Sequence, residues 1–486
     1  MPADTRVAKK SKGRVYTPDY IVKNILDMAH YNGVTILCKH VIDNSCGDGA
    51  FLSEIVDRYC NTAISNNVAL DDLLYQLETY IHGIEIDPSE HKKCLANIDA
   101  IVKKYGIVAN VSWDIICADT LTIDKYNGKM DFVLGNPPYV RVHNLDESFE
   151  VAKKFTFAQE GMTDLYIVFY EIGLKMLNKD GVLGYITPSS FFNSLAGSHM
   201  RKYFVHENLI EKLVDLKHYQ AFNATTYTTI VILNKRHTSN ELEYYQFDEK
   251  NLIPYYVETL TPDDYYISNN FYFSTKENLA LLKKVFFNLG HCDVEIKNGY
   301  ATLCDEVFIG SFNFSSKYII PVIKASRGEL RQIIYPYDRS GKLSSEENLI
   351  KEKELYNYLL KNKPKLLKRS SENRTGSYWF AFGRSQAIND TYKDKISINT
   401  LLRTSADLKI LSAPAGTGVY SGLYCIGSKQ SLSKIPEILL NEEFSIYISL
   451  LGKYKSGGYY TFSSKDIKAY LDYKLAYDGG LFNDDK

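Results

Sequence analysis

HVIDNSCGDGAFL, residues 40–52, changes character twice. It opens as an apolar run that reads as a buried strand. It closes as the start of a helical pattern that continues through FLSEIVDRYC (51–60). Between the two, Gly47 and Gly49 stand where the chain must turn, and without side chains they let a ligand approach the backbone. The same rhythm recurs downstream. Strand candidates are YIHGIEID (80–87), WDIICAD (113–119), MDFVLGN (130–136), GVLGYITP (181–188), LIEKLVDL (209–216) and TYTTIVILNK (226–235), with a helix-like stretch at 163–177. Strands alternating with helices predict a parallel α/β sheet covered on both faces. Only the last two strands are joined by a short link without a helix, so the final strand is expected to run antiparallel.

After about residue 240 the rhythm breaks into Tyr-rich strand candidates, basic loops and Ser/Gly-rich passages near 370–377 and 455–465. A chain of 486 residues is too long for one ordinary core. The best cut lies at 235–245, dividing the chain into 1–240 and 241–486. The composition is globular, with 45% hydrophobic and 24% charged residues and a mean hydropathy of −0.24. Net charge is −1, so binding to nucleic acid must come from local clusters. No apolar run approaches a membrane span, and the polar, basic N-terminus does not read as a signal peptide. The eight cysteines contain no CxxC pair, which argues against zinc or disulfides and for reduced thiols in a cytoplasm. The 39 tyrosines suit stacking on bases, although an AT-rich genome accounts for them more simply.

The strand ends carry the chemistry. The second ends in Glu85 and Asp87, where an open α/β sheet places a carboxylate on a ribose, and the third ends in Asp119. The fourth, FVLGNPPYVRV (132–142), leaves through Asn136, Pro137, Pro138 and Tyr139. Prolines fix φ and remove backbone donors, so this segment holds a carbonyl and an aromatic face in one geometry. Turn glycines, carboxylates and NPPY in order along one sheet edge point to a nucleoside-cofactor enzyme.

With these motifs the chain resembles the gamma-class, TaqI-like DNA adenine-N6 methyltransferases of bacterial restriction-modification systems, over about Gly13 to Asn234. The resemblance implies a Rossmann-like, seven-stranded methyltransferase sheet followed by a mixed α+β target-recognition domain. It implies S-adenosylmethionine as cofactor, double-stranded DNA as partner, action as a monomer, and a cognate restriction endonuclease encoded separately. GRVYTP (13–18) looks like the methionine-contacting motif and includes Thr17. Asp43 and Ser45 fall near the methionine end, Glu85 on the ribose hydroxyls, Asp119 on the cofactor adenine and Phe169 against that ring. The stacking phenylalanine falls on Phe222. The family often has a lysine three residues later, where this chain has Thr225.

The chemistry fits those residues. The 6-amino nitrogen of adenine is a poor nucleophile because its lone pair is delocalised. Asn136's side-chain oxygen and the Pro137 carbonyl can accept its two N–H bonds and expose that lone pair to a sulfonium methyl. Catalysis is then orientation and placement of acceptors where positive charge develops. A duplex hides the amine, so the base must leave the stack, and Tyr139 and Phe222 are the expected walls around it.

In the second half, KNKPKLLKR (361–369), followed by Arg374, Trp379 and Arg384, interleaves cations with aromatics as phosphate contacts require. Lys365, Lys368, Arg369 and Arg374 are the expected DNA contacts; a solvated helix face is the plainer reading. Glu295 and Lys297 form an ExK, the tail of a nuclease motif, but lack its strand-pair context. Methylation of protein glutamine or of RNA adenine stands as the alternative activity. A DNA-binding module without catalysis is a further one, against which the intact Asn136 and Tyr139 count.

Overall fold

A computed structural model describes residues 16–144, 149–222, 226–369 and 378–478. Arg374, Thr225 and the first residues of GRVYTP lie outside the described residues. The chain divides into two compact units, at Leu279/Ala280.

In the first unit, β-branched Val41 and Ile42 are fully buried, as a strand covered on both faces requires. They form β1 (Val41–Asp43), which pairs in parallel with β2 (Ile81–Glu85) on one side and β4 (Met130–Gly135) on the other. The remaining strands are β3 (Asp114–Cys117), β5 (Leu177–Pro188), β6 (Ile210–Asp215), β7 (Thr228–Asn234), β8 (Leu242–Asp248) and β9 (Ile253–Leu260). They lie in the order β3-β2-β1-β4-β5-β7-β6-β8-β9. β7 is antiparallel to both β5 and β6, as its helix-free link to β6 foretold. The order reverses between β1 and β4, which opens the crevice where such sheets bind ligands.

The expected seven strands are corrected to nine. β8 pairs in parallel with β6, and β9 returns antiparallel to β8, so the sheet runs past the cut expected near 240. Their sequences explain the miss. Tyr-rich LEYYQFD and IPYYVETL alternate or stay exposed, and β9 carries Pro254, which suits an edge. Nothing local says which sheet such strands join. A small hairpin, β10 (Tyr266–Ile267) with β11 (Asn270–Phe271), follows.

Four helices position the site. α1 (Asp19–Met28) follows Pro18 and buries Ile21, Val22, Ile25 and Leu26. α2 (Ala50–Ser65) starts after Gly49, whose φ of 90° is left-handed; a Cβ there would meet Cys94 Sγ at 2.8 Å. α3 (Pro88–Lys104) is capped by Asp87, whose Oδ1 accepts from Ser89 N at 2.9 Å and Glu90 N at 3.3 Å. α4 (Leu165–Met176) is buried on nearly every side, as its all-round apolar sequence demands. No described helix is long and apolar enough to cross a membrane.

The second unit holds three small sheets. One has β12 (Glu295–Asn298), β20 (Leu423–Ile426), β16 (Lys395–Ile398) and β18 (Ile410–Ala413) in that order. Another has β13 (Ile309–Gly310), β15 (Glu329–Ile334), β14 (Ile319–Lys324) and β19 (Gly418–Tyr420). The third has β17 (Leu401–Leu402), β22 (Tyr459–Thr461) and β21 (Tyr454–Lys455). Most of the basic run lies in the C-terminal half of α5 (Lys353–Leu367), which buries Leu355, Leu359 and Leu366.

Candidate active site

The carboxyl ends of β1, β2 and β4, with the turn after β3, close on a cavity of about 520 Å³. Thr17, Asp43, Ser45 and Gly47 line it from the N-terminal side. Glu85, Asp119 and Phe169 line it farther along, and Asn136, Pro137 and Pro138 complete the wall. Residues as far apart in sequence as Thr17 and Phe169 thus share one chamber because successive strands end at one edge.

Glu85 holds the turn together. Its Oε2 accepts from Gly47 N at 2.9 Å and its Oε1 from Asp87 N at 2.7 Å. Each carboxylate oxygen keeps a further lone pair for a diol. Asp87 is engaged in capping α3, so Glu85 is the better placed of the two sequence candidates. Asp119 Oδ1 accepts from Leu121 N at 3.0 Å, which sets its carboxylate at the cavity edge. Phe169 reaches the cavity from α4 with 4% exposure.

Asn136 is oriented by partners far away in sequence. Its Nδ2 donates to Thr17 Oγ1 at 3.0 Å, while its main-chain carbonyl accepts from Ser45 Oγ at 3.3 Å. Ser45 N in turn donates to Asp43 Oδ1 at 3.0 Å. The amide oxygen of Asn136 is buried and has no hydrogen-bond partner among the described residues. A buried acceptor left unmet costs about 1–3 kcal/mol, so it marks a place built for a donor from outside.

Tyr139 and Phe222 stand beside the cavity but do not line it. Tyr139 donates from its hydroxyl to Ile186 O at 3.0 Å. The Phe222 ring meets it edge-on, with centroids 6.1 Å apart and planes at 74°, and is 7% exposed. The two rings expected to wall the base thus meet edge to face. Gly49 does not line the cavity either; it serves the close packing of the turn on Cys94.

Sequence reasoning missed Tyr16, Asp48 and Glu90, which also line the chamber. Tyr16 donates from its hydroxyl to Glu90 Oε2 at 3.4 Å. The Asp87-to-Glu90 spacing, an N-cap residue and the third helical position, was the legible signal.

In the second unit the basic run separates into two kinds of residue. Lys365 and Lys368 are exposed, and Lys365 pairs with Glu306 at 3.3 Å across solvent. Arg369 turns inward, which corrects its expected place on DNA. Its guanidinium donates to the carbonyls of Leu366, Thr302, Ala381 and Trp379 at 2.7–2.9 Å and lies over Phe308. Trp379 is likewise core, donating from its indole to Glu346 Oε1 at 3.1 Å. Lys297 of the ExK pairs with Glu295 at 2.8 Å and with buried Asp390 at 3.0 Å.

Residues 56–222 match the Eco57I restriction-modification methylase family. Such a methylase domain takes its methyl group from S-adenosylmethionine, the cofactor expected from the motifs. The chamber fits that molecule: Gly47 at the turn, a Glu85 carboxylate with lone pairs left for a donor, and the unmet Asn136 acceptor all lie on its lining. The chain is 27% identical over 270 residues to the Type II methyltransferase M.BstVI of Geobacillus stearothermophilus, covering 53% of this chain and 46% of that protein. It is 25% identical over 312 residues to the Type II restriction enzyme and methyltransferase RM.Eco57I of Escherichia coli, covering 53% and 31%. The chain thus spans less than half the length of these two relatives. Among solved structures, the Type IIL restriction-modification enzyme MmeI in complex with DNA shares the fold over 96% of this chain and 73% of that one. The TM-score is 0.57 at 13% identity.

Proposed function

We propose that the chain is a site-specific DNA methyltransferase that methylates the 6-amino group of adenine in double-stranded DNA after base flipping. In this reading it is the modification enzyme of a type II restriction-modification system, acts as a monomer in the cytoplasm, and works beside a separately encoded endonuclease. The observation that carries the reading is the buried, unpartnered oxygen of Asn136, fixed toward its task by the Thr17 bond.

S-adenosylmethionine supplies an electrophilic methyl on a sulfonium. Asn136 Oδ1 and the Pro137 carbonyl accept the two amine hydrogens, and the nitrogen's lone pair turns toward that methyl. No strong base is required, because the amine becomes acidic only as it is methylated. Restriction-modification relatives support DNA over a protein glutamine or RNA. Long-read sequencing of DNA from a host expressing the protein is expected to show N6-methyladenine in one short motif; unmodified DNA would overturn the reading.

Base flipping adds a requirement on Phe222. Its edge-on ring must turn or withdraw before a base can lie against Tyr139. With a fluorescent adenine analogue at the target position, wild-type protein is expected to quench emission partly, as stacking does. Phe222→Ala is expected to give brighter emission and slower methylation, the loss of stacking amounting to about 1–3 kcal/mol. Unchanged emission and rate would remove Phe222 from the pocket.

We further propose that the second unit reads the DNA and that Lys361, Lys365 and Lys368 on its basic helix meet phosphates. Changing these three to alanine is expected to weaken specific and nonspecific binding alike. Each lost contact should flatten the slope of log affinity against log salt by about 0.9. An unaltered slope would return the run to a solvated face. Arg369→Ala, by contrast, is expected to lower the melting temperature, because it takes the guanidinium donor away from four inward carbonyls.

A further inference from the structure

Asp43 ends β1 on the inner wall of the chamber, 2% exposed. Like charge surrounds it, from Glu85 at the end of β2 and Asp48 in the glycine turn. The Cys46 thiol beside it, and the Tyr185 hydroxyl on β5, feel it as a further source of repulsion. From β4, Gly135 packs so closely that a Cβ there would lie 2.6 Å from Asp43 Oδ1. Ser45 N donates to that same oxygen at 3.0 Å. The chamber as a whole repeats the pattern. Asp43, Asp48, Glu85, Asp87, Glu90 and Asp119 line it, and among the described residues no Lys, Arg or His does. Lys93 pairs with Glu90 but is not part of the lining.

Such a carboxyl group has two ways to exist: neutral in the ligand-free chamber, or ionised against a cation brought by the ligand. We infer that Asp43 is a proton-linked positioning residue, which enters the ligand-free protein protonated and releases its proton when the cationic cofactor binds. The inference rests on S-adenosylmethionine being the cofactor of this chamber. Either cation of that molecule, the sulfonium or the α-ammonium, stabilises the ionised form. No bond other than the O–H of Asp43 breaks, and the proton passes to solvent. Burial, then the charges of Glu85 and Asp48, push the free carboxyl up to about 8, against the opposing effect of the Ser45 N–H. The sign follows. Below that value binding must expel the proton, so affinity rises with pH; above it the group is already ionised and affinity levels off.

Calorimetry of the full chain with S-adenosylmethionine in phosphate and in Tris reads the proton count directly, without turnover. At pH 7 the buffer dependence of the enthalpy is expected to correspond to about one proton released, falling toward none at pH 9. The dissociation constant is expected to tighten about tenfold per pH unit from 6 toward 8 and then flatten. Asp43→Asn is expected to bind with no release at either pH, which separates Asp43 from the cofactor's own amine. A buffer-independent enthalpy in the wild type at pH 7, or the same proton count in Asp43→Asn, would overturn the inference. Should the asparagine variant fail to fold, the wild-type pH profile decides alone: an affinity flat between pH 6 and 8 would overturn it. Failure of the cofactor reading itself looks different, since the wild type would then bind no S-adenosylmethionine even at pH 9.

Discussion

Asn136→Ala is expected to lower methyl transfer by about 10²–10³-fold or more, the loss seen when one preorganised group facing transition-state charge is removed. The direction follows from where the amide oxygen lies. It is buried beside the cavity with no protein donor among the described residues, so deleting it relieves the resting protein of an unmet acceptor while stripping the transition state of a partner. The resting fold should therefore gain or hold stability as activity falls. Cofactor affinity should stay nearly unchanged, because the main-chain carbonyl that accepts from Ser45 survives the substitution and only the side-chain bond to Thr17 is lost. Asn136→Asp keeps an acceptor but puts a charge into the same buried place, and should also be poorly active. A methylation assay beside cofactor calorimetry checks both halves. Activity of Asn136→Ala within about tenfold of wild type would remove the amide from the chemistry.

Glu85→Ala is expected to weaken cofactor binding by about 3 kcal/mol, more than a ribose contact alone would account for. Glu85 also accepts from Gly47 N and Asp87 N, so its loss frees the glycine turn and the start of α3 together. The variant should accordingly melt earlier even without cofactor. Glu85→Gln keeps one acceptor oxygen and is expected to fall between wild type and alanine in both readouts. Calorimetry and thermal melts in parallel check this. A lower melting temperature with an unchanged dissociation constant would leave Glu85 as a turn-holding residue only, and the ribose carboxylate would have to be sought at Asp119.

Much of this is legible in the amino-acid sequence. The first seven strands fall where apolar runs between helical patterns place them, and their ends bring Asp43, Glu85, Asp119 and Asn136 to one cavity. Such features are local: a run of Val and Ile, a glycine turn and a pair of prolines each act within a few residues. Other features resist reading. The segment 361–369 looks uniformly basic, yet helix periodicity and carbonyls from distant segments turn Arg369 inward and leave Lys365 and Lys368 outside.

By itself, then, the sequence determined the α/β alternation and the order of chemistry-bearing strand ends, because these depend on short-range periodicity and turn chemistry. Tertiary structure alone decided that β8 and β9 extend the sheet to nine strands, that Glu85 ties down the glycine turn through Gly47 N, and that Phe222 rests edge-on against Tyr139. It also decided that Thr17, 119 positions before Asn136, aims the amide whose oxygen awaits a donor. Each of these is a long-range hydrogen bond or packing contact, set by which buried polar groups find partners once the strands have assembled.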